Sequence, residues 1–413
     1  MGTVLQLTCV ICGKTYQESP ILFTCPPCGD LATLRVSYDY DAARRELTRE
    51  MLGAKPFFDQ WRYLPLLPLR GSTAPSPLRV GATPLYSVPR LRQSLGLDRL
   101  WVKDDTSNPS GSLKDRASAV AILKGLELNY EEIATASTGN AAASLACLSA
   151  SVGMRCHIFV PKSAPVAKMV QLLVFGADVL PVEGVYDDAF KLCIAACHEF
   201  GWYNRNTGYN PYTVEGKKTV SMEIAEQLGW EPPDTVVVPV GDGCILSGVW
   251  KGFVDLQRVG LIGRLPRLVA AQAEGSQAIK RAFEGDGAIR TIEPSTLADS
   301  LSVSLPRNGI MAIQDLKASG GVAVAVSDDE MLEAIGLLGR TTGIFGEPAG
   351  VAALAALLKL RSRGEVSQGE RVVILVTGTG LKDVDSGRKG VTLPQPLRCS
   401  LDAVKERYRW HKI

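Results

Sequence analysis

Lys114 stands where a polar loop broken by glycine and proline gives way to a predicted helix, after the apolar strand Leu100 to Val102. A lysine fixed at such a junction can form a Schiff base with an aldehyde, provided that burial keeps its amine partly unprotonated. Most lysines are solvated surface charges, so this residue by itself predicts little. Three loops that follow it along the chain decide the interpretation.

Each of these loops follows a predicted strand and precedes a helix or a turn. The first, residues 135–144, carries Asn140, whose amide can hydrogen-bond a phenolic oxygen. The second, residues 236–248, contains a glycine turn before a helix, where backbone N–H groups can bind a phosphate. The third, residues 372–383, ends a buried strand in the hydroxyl of Thr377.

An amine, a ring-contacting amide, a phosphate-binding turn and a hydroxyl together match the shape of pyridoxal phosphate. Loops at the carboxyl ends of parallel strands are where α/β folds bind ligands. The residues predicted for the phosphate turn are Gly241, Asp242, Gly243, Cys244 and Ile245. The sequence therefore predicts a pyridoxal-phosphate enzyme.

Thr377 restricts the type of reaction. A carboxylate beside the pyridine nitrogen would keep that nitrogen protonated, whereas a neutral hydroxyl does not enforce protonation. Elimination or replacement at the β or γ carbon is therefore favoured over transamination. Lys114 is the residue expected to move the α-proton.

The chain resembles threonine synthases, within the tryptophan-synthase-β-like group of fold type II pyridoxal-phosphate enzymes. The resemblance covers about residues 60–385 and the cysteine-rich N-terminus. It rests on five motifs: Lys103 to Arg116, Ser137-Thr-Gly-Asn140, Asn210-Pro-Tyr212 with Glu215-Gly-Lys-Lys-Thr219, Glu347-Pro-Ala349, and Thr377-Gly-Thr-Gly-Leu-Lys-Asp383.

The resemblance implies a role for each matching residue. Lys114 would carry the Schiff base, Asn140 would contact the ring oxygen, residues 241–245 would hold the phosphate and Thr377 would face the pyridine nitrogen. The residues expected to bind the substrate are Ser137, Thr138, Gly139 and Thr213. The resemblance also implies a homodimer and a small amino-acid substrate, with O-phosphohomoserine converted to threonine and phosphate.

The sequence departs from the threonine synthase pattern where the family holds the substrate's phosphate. The family commonly has Asn-Ser and, further on, arginine where this chain has Thr207, Gly208 and Thr213. Threonine cannot replace a bidentate cation–phosphate contact. The basic residues that could supply another cation are Arg205, Lys217, Lys218 and Arg307. Asp242 beside a phosphate is unfavourable unless its carboxylate points away.

These departures leave alternative functions open. The segment Leu297 to Pro306 is similar to that of serine/threonine ammonia-lyases, so an ammonia-lyase or a β-replacement enzyme is an alternative to a threonine synthase. An alternative of another class is a catalytically silent, cofactor-binding regulatory or metal-storage protein.

Four cysteines near the N-terminus form two Cys-x-x-Cys pairs, Cys9 with Cys12 and Cys25 with Cys28, separated by twelve residues. This spacing is that of a zinc ribbon, in which four thiolates surround a structural zinc ion. Disulfides are the competing interpretation. The other six cysteines show no disulfide framework, as expected in a reducing compartment.

The 413 residues are enough for two domains and a small module, and repeated strand–helix units predict an α/β fold of parallel sheets with helices on both faces. We predict a zinc-ribbon-like module in residues 1–40, and an extended arm with the first part of the large domain in 41–129. A small mobile α/β domain is predicted in 130–212 and the remainder of the large cofactor-binding domain in 213–413.

Composition excludes several classes of partner. A net charge of +2 gives no case for nucleic acid or a membrane surface, and no apolar stretch reaches the length of a bilayer span. The N-terminus has no signal-peptide pattern, so the cytoplasm is the expected location. The three histidines are not placed for a Ser–His hydrolase.

Overall fold

The computed structural model describes residues 4–19, 22–71, 77–164 and 166–409, which form three sheets. The N-terminal sheet is antiparallel, with the strand order β2-β1-β3. Its strands are β1 (Val4–Cys9), β2 (Thr15–Tyr16) and β3 (Leu34–Tyr38). Inward-facing residues such as Leu7 and Val36 alternate with more exposed ones, as one covered face requires.

The largest sheet has six strands in the order β12-β11-β10-β13-β5-β4. Its strands are β4 (Leu85–Ser87), β5 (Arg99–Asp104), β10 (Thr235–Pro239), β11 (Arg267–Ala273), β12 (Val322–Val326) and β13 (Arg371–Val376). All neighbours are parallel except β4, an antiparallel edge strand. Continuous apolar runs such as Val236 to Val238 are completely buried, because helices cover both faces.

The third sheet has four parallel strands in the order β8-β7-β6-β9. Its strands are β6 (Glu132–Ala136), β7 (Arg155–Pro161), β8 (Asp178–Val182) and β9 (Tyr203–Asn204). Together with the six-stranded sheet it confirms the predicted fold class of two parallel-sheet α/β units preceded by a small cysteine-rich module.

Sixteen helices connect and cover the strands of the described chain. They are α1 (Tyr40–Glu46), α2 (Arg49–Gly53), α3 (Pro89–Ser94), α4 (Lys114–Glu127), α5 (Asn140–Val152), α6 (Val166–Val174), α7 (Tyr186–Phe200), α8 (Tyr212–Lys217), α9 (Thr219–Gln227), α10 (Cys244–Arg258), α11 (Ala278–Glu284), α12 (Gly309–Ala318), α13 (Asp328–Thr342), α14 (Pro348–Ser362), α15 (Val384–Lys389) and α16 (Leu401–Arg409). Short 3₁₀ turns lie at Gln60–Leu66, Asp105–Ser107, Glu274–Ser276, Asp299–Leu301 and Gly380–Lys382. Among the described residues, no helix combines the length and the apolar character that a membrane span requires.

The cysteine-rich module packs against the helix that begins at Lys114. Glu18, between the two cysteine pairs, is 2.5 Å from the Lys124 amine of α4 and accepts a hydrogen bond from Tyr212 of α8 at 3.0 Å. Phe23 meets Tyr203 edge-to-face, with ring centroids 5.8 Å apart. The module is therefore joined to the two α/β units by buried polar and aromatic contacts.

Candidate active site

Lys114 is held at the start of α4 by pairing between two loops. The backbone N–H of Leu113 donates to the carbonyl of Thr377 at 2.9 Å, and that of Thr379 donates to Gly111 at 3.0 Å. The loop before the lysine is thereby fixed to the carboxyl end of β13. This pairing brings Lys114 and Thr377 together although 262 residues lie between positions 114 and 377 of the sequence.

The Lys114 side chain faces a cavity of 340 Å³ between the two parallel sheets. Burial lowers the pKa of its amine, because the surrounding protein atoms replace water that would stabilise the charge. Within the described residues the amine has no hydrogen-bond partner. A lysine of this kind presents a nucleophilic amine to a ligand in the cavity.

The structure brings nearly all the predicted site residues to this cavity. Those that line it are Lys114, Ser137, Thr138, Gly139, Asn140, Gly241, Asp242, Gly243, Cys244, Ile245 and Thr377. Thr213 is absent from the lining residues; it is buried in α8, where its hydroxyl donates to the Asn210 carbonyl at 2.8 Å.

Asn140 is the first residue of α5, and three side chains from distant segments orient its amide. Its Nδ2 donates to Glu347 at 2.7 Å and to Ser300 at 3.3 Å, while its Oδ1 accepts from the Lys382 amine at 2.9 Å. Burial raises the pKa of Glu347 and lowers that of Lys382. Glu347 and Lys382 both lie in motifs of the resemblance, but sequence reasoning gave them no role.

The glycine turn before α10 fits a phosphate. Gly243 has φ +92°, and a Cβ there would lie 2.7 Å from the Ala312 Cβ; a Cβ on Gly241 would lie 2.9 Å from the Ser300 carbonyl oxygen. Glycine is therefore required at both positions. Because α10 has no side-chain cap, the N–H groups of its first turn are available to an anion.

Asp242 does not oppose a phosphate at this turn, because its carboxylate is directed elsewhere. Its Oδ1 accepts the backbone N–H of Arg307 at 3.0 Å, and its carbonyl accepts that of Asn308 at 3.2 Å. Burial raises the pKa of the Asp242 carboxyl. The carboxylate thus anchors the 307–308 segment to the turn.

Together these residues fit pyridoxal phosphate. Lys114 offers the amine for its aldehyde, Asn140 an amide for its ring oxygen, and the uncapped α10 turn the donors for its phosphate. A second cavity of 490 Å³ adjoins the first and shares Asn140, Ser300 and Glu347 with it. This gives room for an amino acid beside the cofactor.

The four N-terminal cysteines form a separate cluster in the described chain, with their Sγ atoms all within 4.8 Å of one another. Zn–S bonds of about 2.3 Å at tetrahedral angles place sulfur ligands about 3.8 Å apart, and the Cys12 and Cys25 Sγ atoms are 3.8 Å apart. The backbone N–H groups of Ile11 and Cys12 point at the Cys9 Sγ atom. The cluster has the ligand set of a closed, structural zinc site.

We expect Cys25→Ala to lose bound zinc and to lower the melting temperature, because three thiolates cannot complete the site and the module joins α4 and α8. Metal analysis of the purified protein should give about one zinc ion per chain for the parent and much less for the variant. Cys399→Ala, at an exposed cysteine in the C-terminal segment, is the control and should keep the metal. Zinc-free parent protein expressed with ample zinc would contradict the prediction.

The fold and the cavity define a pyridoxal-phosphate-dependent enzyme of the tryptophan-synthase-β-like class. The sequence profile of the family described as "Pyridoxal-phosphate dependent enzyme" matches residues 77–378. The threonine synthase of Methanocaldococcus jannaschii is 38% identical over 400 residues, 96% of this chain and 98% of that protein. That of Methanosarcina acetivorans is 36% identical over 403 residues, 97% of this chain and 98% of that protein.

Solved structures agree on the fold. The processed form of threonine deaminase isoform 2 from Solanum lycopersicum superposes with a TM-score of 0.63 at 21% identity, covering 74% of this chain and 83% of that one. An L-serine ammonia-lyase of Rhizomucor miehei superposes with a TM-score of 0.64 at 23% identity, covering 75% of this chain and 98% of that one.

The chain belongs to the threonine synthase family of pyridoxal-phosphate-dependent enzymes. It is a carbon–oxygen lyase that carries out elimination or replacement on a small amino acid, which sets aside the alternative of a catalytically silent protein.

Proposed function

We propose that this enzyme converts O-phosphohomoserine and water into threonine and inorganic phosphate. The observation that carries the proposal is the 38% identity to a threonine synthase that extends over 400 residues, nearly the full length of both chains. The geometry of the cavity supports the same reaction.

When bound, pyridoxal phosphate supplies an aldehyde that condenses with amines and a conjugated ring that accepts electrons. Lys114 Nζ, with its lowered pKa, takes the α-proton of the amino acid and returns a proton later in the reaction. Asn140, oriented by Glu347 and Lys382, would contact the ring oxygen. Thr377, directly after β13, would face the ring nitrogen and would not keep it protonated.

Residues 130–212 act as the mobile small domain that closes over the cavity. Two ion pairs link this part of the chain to the segment 299–307. Lys168 of α6 pairs with Asp299, and the Arg307 guanidinium lies 2.9 Å from Asp187 of α7. Closure through such pairs would exclude bulk water while the intermediate reacts.

The experiment that tests the proposal supplies the purified holoenzyme separately with O-phosphohomoserine, homoserine, serine and threonine. Threonine and phosphate should appear in equal amounts from O-phosphohomoserine, with little product from the other three. Release of phosphate without threonine, or no reaction with O-phosphohomoserine, would contradict the proposal.

The second candidate is a serine/threonine ammonia-lyase. One specific observation favours it: the position expected to hold a phosphate-binding arginine is Thr213, which does not line the cavity. The solved threonine deaminase and serine ammonia-lyase also share the fold. Oxo acid and ammonia from serine or threonine, with no product from O-phosphohomoserine, would select this candidate.

We also propose that the enzyme works as a homodimer in the cytoplasm. Support for a second copy comes from apolar side chains that are exposed near the C-terminus, among them Leu381, Val391, Leu393 and Leu401. The cysteines outside the N-terminal cluster are free thiols, which persist in a reducing compartment. Light scattering that gives the mass of a single chain, 44.3 kDa, would contradict the dimer.

A further inference from the structure

The four basic side chains that the sequence offers as possible phosphate-binding cations differ in whether carboxylates compensate their charge. Arg307 pairs with Asp187 at 2.9 Å and stacks on the Phe190 ring. Lys218 forms ion pairs with Glu215 and Asp255, the second at 2.7 Å. The charges of Arg307 and Lys218 are thus largely neutralised by carboxylates.

Arg205 and Lys217 are different, because neither forms a salt bridge with any residue that the structure describes. Both are fully buried. The Lys217 amine donates to the Thr213 carbonyl at 3.0 Å. Arg205 donates from Nε to Ser118 at 3.1 Å and from Nη1 to Thr207 at 2.6 Å, while its Nη2 is buried without a hydrogen-bond partner in the described chain.

Buried cations without an anion are unfavourable, since their loss of hydration is not offset by a partner. Burial accordingly lowers the pKa of Lys217 to about 7 and that of Arg205 to about 10. The charges of Arg205 and Lys114 also lower the pKa of Lys217 by repulsion. An anion bound beside them would relieve this cost.

Both cations lie directly behind the cavity wall. Thr207, which accepts from Arg205, lines the cavity, and its hydroxyl donates to no other group in the described chain, so it can donate to a ligand there. Lys217 packs against α10, where a Cβ on Gly248 would lie 2.8 Å from the Lys217 Cβ. The first residue of α10, Cys244, also lines the cavity, and its thiol interacts electrostatically with Lys217.

We propose that Lys217 and Arg205 form the cationic side of a binding site for a phosphate monoester, at the cavity wall made by Thr207 and the start of α10. The Thr207 hydroxyl donates to the phosphate oxygens, and the two buried cations supply the charge. Lys217 stands one helical turn after Thr213 and so provides the cation on this face of α8 that Thr213 lacks.

A phosphate monoester in this enzyme has two sources, the cofactor and the substrate; the substrate source rests on the proposed function. The test compares Lys217→Gln with Lys217→Arg, and uses Lys191→Gln, at an exposed lysine of α7, as the control. The measurements on each holoenzyme are the dissociation constant of pyridoxal phosphate, KM for O-phosphohomoserine and the inhibition constant of homoserine.

Lys217→Gln should weaken one phosphate interaction about tenfold or more, as loss of a charged hydrogen-bonding partner does, and Lys217→Arg should restore it. A raised dissociation constant of pyridoxal phosphate with unchanged KM would identify the bound phosphate as that of the cofactor. A raised KM for O-phosphohomoserine, with unchanged cofactor affinity and an unchanged inhibition constant of homoserine, would identify the bound phosphate as that of the substrate. Unchanged cofactor affinity and unchanged KM, in a variant that keeps the parent's circular dichroism, would overturn the proposal.

Two further measurements keep the proposal testable. If Lys217→Gln does not fold, Thr207→Val should weaken the same phosphate interaction, and unchanged affinities in that variant would count against the site. If O-phosphohomoserine is not a substrate, inorganic phosphate replaces it as the probe. A rise in the parent's melting temperature with phosphate that Lys217→Gln abolishes would support the site although the proposed function had failed; no rise, with unaltered cofactor affinity, would overturn it.

Discussion

Lys114→Ala should lower kcat by about 10³-fold or more, because general acid–base catalysis by a positioned side chain contributes about 10²–10⁴-fold and the same amine is expected to hold the cofactor. The variant loses the amine that burial keeps nucleophilic and that faces the cavity. The measurements are turnover of O-phosphohomoserine and the visible absorbance of the bound cofactor, which should shift or disappear.

Folding is not expected to suffer from this substitution, because within the described chain the Lys114 amine forms no hydrogen bond that would be broken. Lys191→Ala, on the exposed surface of α7, is the matched control and should retain the parent's turnover and spectrum. A Lys114→Ala enzyme that turned over substrate at the parent's rate would rule out the catalytic role of this residue.

Glu223→Ala should lower the free energy of unfolding by about 3–5 kcal/mol, the cost of removing one partner from a buried charge network. Glu223 is fully buried and lies 2.7 Å from the Lys103 amine and 2.6 Å from Arg116. The Arg116 guanidinium is also 2.7 Å from Asp105. Without Glu223, two buried cations would share one carboxylate.

The network also positions the active site, because Arg116 is two residues after Lys114 on α4. Glu223 accepts the backbone N–H of Ala82 at 2.8 Å as well, and so joins the segment before β4 to α9. Urea unfolding at neutral pH measures the loss of stability. Glu199→Ala, at an exposed glutamate of α7, is the control, and a Glu223→Ala variant as stable as that control would contradict the prediction.

The stabilisation by Glu223 should depend on pH in a defined direction. Burial alone would raise the pKa of Glu223, but the Arg116 and Lys103 charges lower it to about 2. Because this pKa lies below that of an unfolded glutamate, about 4.3, the contribution is fully present above that pH and is lost as the pH falls towards 2. The difference in unfolding free energy between the parent and Glu223→Gln should therefore shrink on acidification below about pH 4.3; a constant difference would argue against the mechanism.

Much of the fold follows from local sequence patterns. From apolar periodicity and the glycines that flank helices, the sequence predicts helices over 140–152 and 186–200 and a strand over 267–273, and the structure has these bounds. The sequence also predicts a single helix over 215–228, whereas in the structure the helix begins earlier, at Tyr212, and is interrupted at Lys218. Strand β12 and helix α12 were not predicted.

The site was predictable to the extent that its residues end strands or begin helices. Lys114, Asn140, the glycine turn before α10 and Thr377 all do so, and the carboxyl ends of parallel strands meet at one edge of a sheet. Local sequence therefore determined the type of cofactor and the residues expected to contact it.

Tertiary structure alone decided how charges are paired across long separations. The sequence does not reveal that Glu347 and Lys382 orient Asn140 or that Asp242 turns towards Arg307. Nor does it reveal that, among the residues the structure describes, carboxylates neutralise Lys218 but not Lys217. Such pairings depend on which side chains the packing of helices against sheets brings within a few ångströms, and burial then makes each pairing energetically decisive. The types of residue determine the chemistry that the chain can perform, and their packing determines which of its buried cations have carboxylate partners in the described chain.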